Sequence, residues 1–259
     1  MTATVALVTG ASRGIGRAIA MELTRQGMTV IGTATSESGA SSISEAIKAA
    51  GGAGWGAALD VRNAAGVDAL IADIETKTGS AITVLVNNAG ITRDTLAMRM
   101  KDEDWDDVLD TNLKSVFRMC RAVMRGMMKA RTGRIVNITS AMVKTPMSPM
   151  GLSTGARTGL TSVAKALSKD VAHANVTINN LLPERFDTER QQQMANIHAK
   201  MANISVEEAY AHMAKSIAAG RLGRPEEFGD ACAFLCSAQA GYISGQNLQL
   251  DGGSFAGLM

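Results

Sequence analysis

Hydrophobic positions along this chain follow two alternating spacings. Short runs rich in β-branched residues, typical of buried strands, recur between longer stretches in which apolar residues return every three to four positions, as in helices. The predicted strands are Val5–Thr9, Thr29–Thr33, Ala57–Val61, Thr83–Asn87, Arg134–Thr139, Thr177–Leu182 and Asn247–Leu250. The predicted helices include Ile15–Gln26, Ser42–Ala50, Ala64–Thr78, Trp105–Met128 and Thr158–Val171. This alternation predicts an α/β fold with one doubly wound parallel sheet and helices on both faces.

The whole chain, residues 1–259, is predicted to form a single domain. No linker rich in Pro, Gly or Ser and no internal repeat interrupts it. Hydrophobic residues make up 46% of the chain but aromatic residues only 3%, so aliphatic side chains and Met must fill the core. The segment 184–220 is polar, rich in Met and helical in pattern. It is predicted to lie over the functional site as a lid.

Charge and cysteine content argue against several classes of function. The net charge is +2 without a long basic run, so no nucleic-acid-binding face is predicted. No apolar run approaches the roughly 20 residues of a membrane span. The N-terminus lacks a signal-peptide pattern, and a cytoplasmic location is predicted. The three Cys form no C-x-x-C pair and the three His are scattered, so no metal site is expected.

A glycine-rich turn follows the first predicted strand and opens the first predicted helix. It reads Thr9-Gly10-Ala11-Ser12-Arg13-Gly14-Ile15-Gly16. Glycines allow a close backbone approach, and the free N–H groups of a helix start attract a pyrophosphate. The motif predicts dinucleotide binding by Gly10, Ser12, Gly14, Ile15 and Gly16. A tight turn without a ligand explains the glycines alone nearly as well.

The G-x-x-x-G-x-G spacing resembles the short-chain dehydrogenase/reductase family, and further motifs from residue 4 to about residue 254 agree. They are Asn87-Asn88-Ala89-Gly90, Asp60-Val61, the Asn112 of D-T-N-L, Ser140, Gly223-Arg224-Pro225 and Asp251-Gly252-Gly253. Within the family, the chain most resembles bacterial 3-oxoacyl-acyl-carrier-protein reductases. The resemblance implies a Rossmann-type fold, an adenine site at Asp60 and Val61, and cofactor contacts from Asn88, Gly90, Phe186 and Thr188.

The end of the second predicted strand bears on the choice of nicotinamide cofactor. An NAD site typically has an acid there that binds the ribose 2′-hydroxyl. Here the strand ends Thr33-Ala34-Thr35 without an acid, and Arg13 lies in the glycine turn. A planar guanidinium suits a 2′-phosphate. Arg13 and Thr35 therefore predict NADP(H). The alternative is that Arg13 is an exposed loop charge.

The predicted catalytic centre departs from the family pattern. Ser140 and Asn112 match the family's serine and asparagine, but Ser153 stands at the tyrosine position and Arg157 at the lysine position. By resemblance, Ser140 orients a carbonyl and Asn112 supports a water chain. Arg157 can donate to ribose hydroxyls, and its permanent charge suits a developing alkoxide; the alternative is that Arg157 is an exposed helix charge. Ser153 is a poor proton donor compared with a phenol of pKa about 10. A water held by Ser140, Ser153 and Arg157 is the preferred donor.

The resemblance implies reduction of a carbonyl to an alcohol, with a 3-oxoacyl thioester as the expected substrate, either small or bound to an acyl carrier. A basic face on the long helix (Arg121, Arg125, Lys129 and Arg131) is a candidate docking surface, although a solvated charged face explains it too. A homotetramer is expected, with the apolar tail 255–259 against a neighbour. Two alternatives stay open: a pseudoenzyme or partner subunit that binds NADP(H), and a reductase of a non-acyl ketone.

Overall fold

A single seven-stranded parallel sheet organises the computed structural model, which describes residues 4–258. The strand order is β3-β2-β1-β4-β5-β6-β7. The strands are β1 (Val5–Val8), β2 (Thr29–Ala34), β3 (Ala53–Ala58), β4 (Ile82–Asn87), β5 (Gly133–Ile138), β6 (Val176–Pro183) and β7 (Asn247–Leu250). The order reverses between β1 and β4, where a doubly wound sheet opens a crevice at its carboxyl edge. The predicted fold class is confirmed.

Helices cover both faces of this sheet. They are α1 (Gly14–Arg25), α2 (Glu37–Ala49), α3 (Ala64–Thr78), α4 (Asp102–Leu109), α5 (Ser115–Ala130), α6 (Gly151–Val171), α7 (Glu189–Ala202), α8 (Val206–Lys215) and α9 (Pro225–Cys236). Side chains cap several starts: Ser36 accepts a hydrogen bond from the Gly39 N–H, and Ser205 forms a capping box with Glu208. The helix predicted over residues 105–128 is α4 and α5 joined by a π-helical turn, Asp110–Lys114.

Two hydrophobic layers hold the helices to the sheet. Successive strand residues point to opposite faces, so Leu7 packs with α3, α5 and α6, whereas Val8 packs with α1, α2 and α9. All four residues of β1 and all six of β5 are buried. Strands covered on both faces become continuous apolar runs, which is why the sequence pattern located them.

Two element boundaries differ from the prediction. β3 spans Ala53–Ala58 rather than 57–61, so Asp60 and Val61 lie beyond its end rather than at it. Its Gly and Ala residues have weak strand propensity, so the sequence pattern did not indicate a strand there. Glycine is nevertheless required at residue 56, because a Cβ would collide with the backbone of α2. α6 begins at Gly151 rather than Thr158. Its first turns therefore carry both Ser153 and Arg157.

A ladder of asparagine side chains fixes the register of four strands. Asn87 donates from Nδ2 to Asn137 Oδ1 at 2.9 Å, Asn137 to Asn180 Oδ1 at 3.0 Å, and Asn180 to Asn247 Oδ1 at 2.7 Å. Each pair is in direct register between neighbouring strands. Any slip would separate buried amides from their partners, which is costly. The ladder aligns β4 and β5, whose ends carry the candidate site.

The segment 184–220 contains α7 and α8, which pack on each other through Ala195, Ala199 and Ala209. Its predicted helical character is confirmed, and its action as a lid stays a prediction. Within residues 4–258, no helix combines the length and the apolar character needed to cross a bilayer.

Candidate active site

The turn between β1 and α1 can be built only with glycine at key positions. Gly10 and Gly14 have φ of +66° and +54°, in the left-handed region that side chains disfavour. A Cβ at Gly16 would collide with the Gly10 carbonyl and the Asn88 amide. α1 begins at this turn, and Arg13, its N-cap residue, gives no side-chain cap to the first N–H groups. Those N–H groups remain available to an anion.

Asn88 and Thr9 hold this turn against the end of β4. The Asn88 side chain donates from Nδ2 to the carbonyls of Thr9 and Gly10, at 3.0 and 2.9 Å. The Thr9 hydroxyl oxygen accepts from the N–H groups of Asn88 and Ala89, at 2.9 and 3.0 Å. Asn88 therefore supports the turn rather than presenting its amide to a ligand. Thr9 was not predicted to take part, although it directly precedes Gly10 in the motif.

Arg13 and Thr35 lie on the side of the crevice formed by the ends of β1 and β2. Both are exposed, and Arg13 enters no salt bridge with the residues that the structure describes. Ser12 is partly buried and faces the start of α2, since its Cβ lies 3.7 Å from the Cβ position of Gly39. Phosphate ligands would find here a free guanidinium and hydroxyl groups.

Asp60 lies further along the same edge with its carboxylate already paired. Arg62 donates from Nη2 to Asp60 Oδ2 at 2.8 Å and bridges to Asp107 at 3.3 Å. The hydrogen bonds from Arg62 lower the pKa of Asp60. Val61 is buried in the core and only 7% exposed. A ligand at Asp60 would share the carboxylate with Arg62.

Arg157 is the centre of the second cluster. Its Nη1 donates to the carbonyl oxygens of Ile138 and Thr139, at 2.8 and 3.0 Å, and its Nε donates weakly to Ser153 Oγ at 3.4 Å. Burial lowers the pKa of Arg157 to about 10, helped by the nearby charge of Arg190 and opposed by Asp94. At neutral pH the guanidinium is still protonated. The side chain is partly buried, so the alternative of an exposed helix charge is wrong.

Arg157 contacts Ser153 and the backbone that leads to Ser140. By holding the end of β5 it fixes the backbone directly before Ser140, whose Oγ accepts from the Met142 N–H at 3.2 Å and keeps its proton free to donate. Ser153 is only 3% exposed, one helical turn before Arg157. A ligand could therefore contact the Ser153 hydroxyl only in the protein interior and not from the surface.

Asn112 acts on the loop after β4. Its Nδ2 donates to the Ile91 carbonyl at 2.8 Å, and its Oδ1 accepts from the Ile91 N–H at 2.9 Å. This clamp holds the backbone beside Gly90, whose Cβ position is 3.0 Å from Arg157 Nη2 and 3.1 Å from Asn112 Oδ1. Asn112 lies in the π-helical turn, a feature frequent at functional sites. Its role here is to position the loop.

The loop after β6 forms the remaining wall. Thr188 caps α7 and its Cγ2 lies 3.6 Å from the Cβ position of Gly14, so it closes on the glycine turn. The Phe186 side chain packs edge-on against Phe228 at a centroid distance of 5.0 Å, inside the core. Only the Phe186 backbone remains for a cofactor contact. Burial raises the pKa of Glu184, the first residue after β6.

Other side chains that could donate a proton either contact a different group or face solvent. The Tyr210 hydroxyl donates to Asp187 at 3.3 Å, and Tyr242 is fully exposed on the loop before β7. Lys144 stacks over the Phe255 ring at 5.1 Å. A cleft of about 610 Å³ runs along the outer side of α1 toward α9 and meets the candidate site only at Gly14 and Thr188. Neither Ser140 nor Arg157 lines it.

Comparison with known proteins identifies the protein family of this chain. A family model described as Enoyl-(Acyl carrier protein) reductase matches residues 10–254. The chain therefore belongs to the short-chain dehydrogenase/reductase family of oxidoreductases.

Curated relatives and solved structures are similar to the chain over nearly its whole length. The chain is 43% identical to the 3-oxoacyl-(acyl-carrier-protein) reductase FabG of Vibrio harveyi over 251 residues, 97% of each chain. It is 42% identical to FabG of Escherichia coli K12, again over 97% of each chain. Two solved structures each superpose with a TM-score of 0.92: the NADPH-dependent reductase YwfH at 27% identity, covering 99% and 100% of the two chains, and an actinorhodin polyketide ketoreductase with NADPH at 32%, covering 97% of each.

Proposed function

We propose that the chain is an NADP(H)-dependent reductase that converts a carbonyl into a hydroxyl. The observation that carries this proposal is the glycine turn of Gly10, Gly14 and Gly16 at the uncapped start of α1. Gly10 and Gly14 have left-handed φ values, and a Cβ at residue 16 would collide with the Gly10 carbonyl and the Asn88 amide, so only glycines allow the turn that leaves the first N–H groups of α1 available to a pyrophosphate. The residues present therefore fit a dinucleotide. The solved relatives that carry or depend on NADPH support the same cofactor.

The choice of NADP(H) over NAD(H) rests on charge at the adenosine end. Arg13 is exposed at the mouth of the turn, and β2 ends without an acid at Ala34 and Thr35. A guanidinium favours the 2′-phosphate, whereas an acid would repel it. Ser12 and Thr35 add hydroxyl groups on the same side of the crevice.

The chemistry requires a hydride at the carbonyl carbon and a proton at the carbonyl oxygen. When bound, the nicotinamide supplies the hydride. Ser140 donates a hydrogen bond to the carbonyl oxygen, and the charge of Arg157 stabilises the oxyanion that develops. A water beside Ser140, Ser153 and Arg157 supplies the proton, since Arg157 itself keeps its proton at neutral pH. A 3-oxoacyl compound is the substrate we propose, because the FabG relatives are named as 3-oxoacyl-(acyl-carrier-protein) reductases.

The Ser153 and Arg157 pair favours one second candidate, a binding subunit without turnover. Loss of a general acid typically costs about 10²–10⁴-fold in rate, and Ser153 is nearly enclosed. Such a protein would still bind NADP(H) through the intact glycine turn.

One experiment distinguishes the two candidate functions. NADPH oxidation is followed at 340 nm with acetoacetyl-CoA and a panel of ketones, for the wild-type protein and for Ser140→Ala. The reductase proposal expects oxidation that depends on the substrate and falls at least about 10-fold in the variant. Tight NADPH binding without oxidation by any carbonyl compound would support the binding subunit instead.

A further inference from the structure

The guanidinium of Arg157 is held in the site without a counter-ion. Its hydrogen-bond acceptors are two backbone carbonyls and one serine hydroxyl, all neutral. None of the salt bridges formed within residues 4–258 includes Arg157. A partly buried cation without an anionic partner is unfavourable, because neutral dipoles replace only part of its hydration.

A second arginine approaches the same place from the segment 184–220. Arg190, in the first turn of α7, donates from Nη1 to Thr92 Oγ1 at 3.0 Å and from Nη2 to Asp94 at 3.2 Å. Thr92 is two residues beyond Gly90, whose Cβ position is 3.0 Å from Arg157 Nη2. The two guanidinium groups therefore lie at either end of the short stretch from residue 90 to residue 94.

The charges at this place do not cancel. Arg157 and Arg190 contribute two positive charges, and Asp94 contributes one negative charge. Arg190 is close enough to Arg157 to lower its pKa. Arg157 carries its charge at the end of β5, directly before Ser140. The dinucleotide phosphates have their own site at the start of α1, so they do not supply the missing anion.

We propose that the substrate carries a carboxylate near its reducible carbonyl and that Arg157 and Arg190 bind it. This inference rests on the proposed reductase function and, among 3-oxoacyl compounds, favours the short free oxo acid over its thioester. A carboxylate accepts two parallel hydrogen bonds from a guanidinium fork, a geometry that an ammonium group does not offer. The Nη2 atom of Arg157 makes none of the hydrogen bonds above, and Arg190 can exchange its bond to Asp94 for a bond to the substrate carboxylate. Free oxo acids then rank above neutral esters and thioesters of the same carbon skeleton.

The experiment compares acetoacetate with methyl acetoacetate, which has the same reacting carbonyl but no charge. We expect wild-type kcat/KM to favour the acid at least about 10-fold. Arg190→Met should remove most of that preference by raising KM for the acid. Lys200→Met, at the exposed far end of the same helix, removes the same charge and should keep the preference. Equal kcat/KM for acid and ester in the wild-type protein would overturn the inference and leave the reductase function intact.

A binding measurement decides the inference even if no turnover is found. Calorimetry with NADP⁺ present compares 3-hydroxybutanoate with its methyl ester on the wild-type protein, Arg157→Lys and Arg190→Met. The inference expects the acid to bind more tightly than the ester, with the difference reduced about 10-fold in either variant. Arg157→Lys retains the charge but loses the fork, so it tests geometry. Acid and ester binding with the same affinity in all three proteins would contradict the proposal.

Discussion

At the scale of single residues, Arg157 decides what this site can do. A lysine at its position could exchange a proton, whereas Arg157 stays charged and uses one arm to hold the end of β5. The sequence identified Arg157 and Ser140 as neighbours in function. It could not reveal the two backbone carbonyls, because these depend on where β5 stops. Arg190 was missed for the same reason: only the fold brings α7 to the loop after β4.

Introducing the tyrosine and lysine that the family resemblance implies at residues 153 and 157 tests whether proton donation limits the reaction. We expect Ser153→Tyr combined with Arg157→Lys to raise kcat for the reduction of methyl acetoacetate by about 10²-fold, since a phenol replaces water as general acid. The matched control, Ser153→Phe with Arg157→Lys, has the ring without the hydroxyl. Steady-state kinetics should show the gain only in the first variant. An equal rate in both would show that the hydroxyl is not what the native site lacks.

Charge reversal at Arg13 tests the choice of cofactor. Arg13→Glu should weaken NADPH binding at least about 10-fold and leave NADH binding nearly unchanged, because only NADPH carries the 2′-phosphate. Lys48→Glu, at the far end of α2, makes the same change of charge away from the crevice. Fluorescence titrations would measure both. A similar loss for the two nucleotides would refute the assignment.

At the scale of elements, the pattern of apolar residues located the strands that are buried on both faces. β5, which is buried along its whole length, was predicted almost to the residue. The start of α6 was missed because Pro149, Gly151 and Gly155 are typical of a loop, yet Leu152 and Ala156 pack that first turn against α4. Tertiary contact overrode weak helix propensity there.

The asparagine ladder gives a prediction about the sheet. Asn137→Leu removes the central amide and leaves the side chains of Asn87 and Asn180 buried with one partner fewer each. We expect the free energy of unfolding to fall by about 2–4 kcal/mol. Asn247→Ala, at the outer end of the ladder, should cost less because Asn247 is exposed. Urea unfolding would compare them. A loss no larger for Asn137→Leu than for Asn247→Ala would contradict the register role.

At the scale of the whole molecule, several large apolar side chains are exposed on the surface of the single chain. Phe117 of α5 is 37% exposed and Leu248 of the edge strand β7 is 43% exposed. Single exposed apolar residues are ordinary on a folded chain, and only a contiguous apolar patch marks a contact surface. The homotetramer stays a prediction that rests on family resemblance. Of the tail 255–259, Leu258 is fully exposed, and Met259 lies outside the described residues.

A charge placed in the α5 surface tests assembly. Phe117→Asp should convert a tetramer into smaller species, since burying an unpaired carboxylate opposes association. Met98→Asp, at a residue that is 98% exposed on the loop after β4, is the control and should leave the assembly unchanged. Analytical ultracentrifugation measures both. A wild-type chain that sediments as a monomer would contradict the expected tetramer directly.

The central claim is that the glycine turn and Arg13 bind a phosphorylated pyridine nucleotide. Isothermal titration of the wild-type protein with NADPH and with NADH at two temperatures tests it most directly. We predict saturable binding of NADPH with one nucleotide per chain, and binding of NADH at least about 10-fold weaker. The absence of binding by either nucleotide at both temperatures, with the protein shown to be folded, would contradict the account.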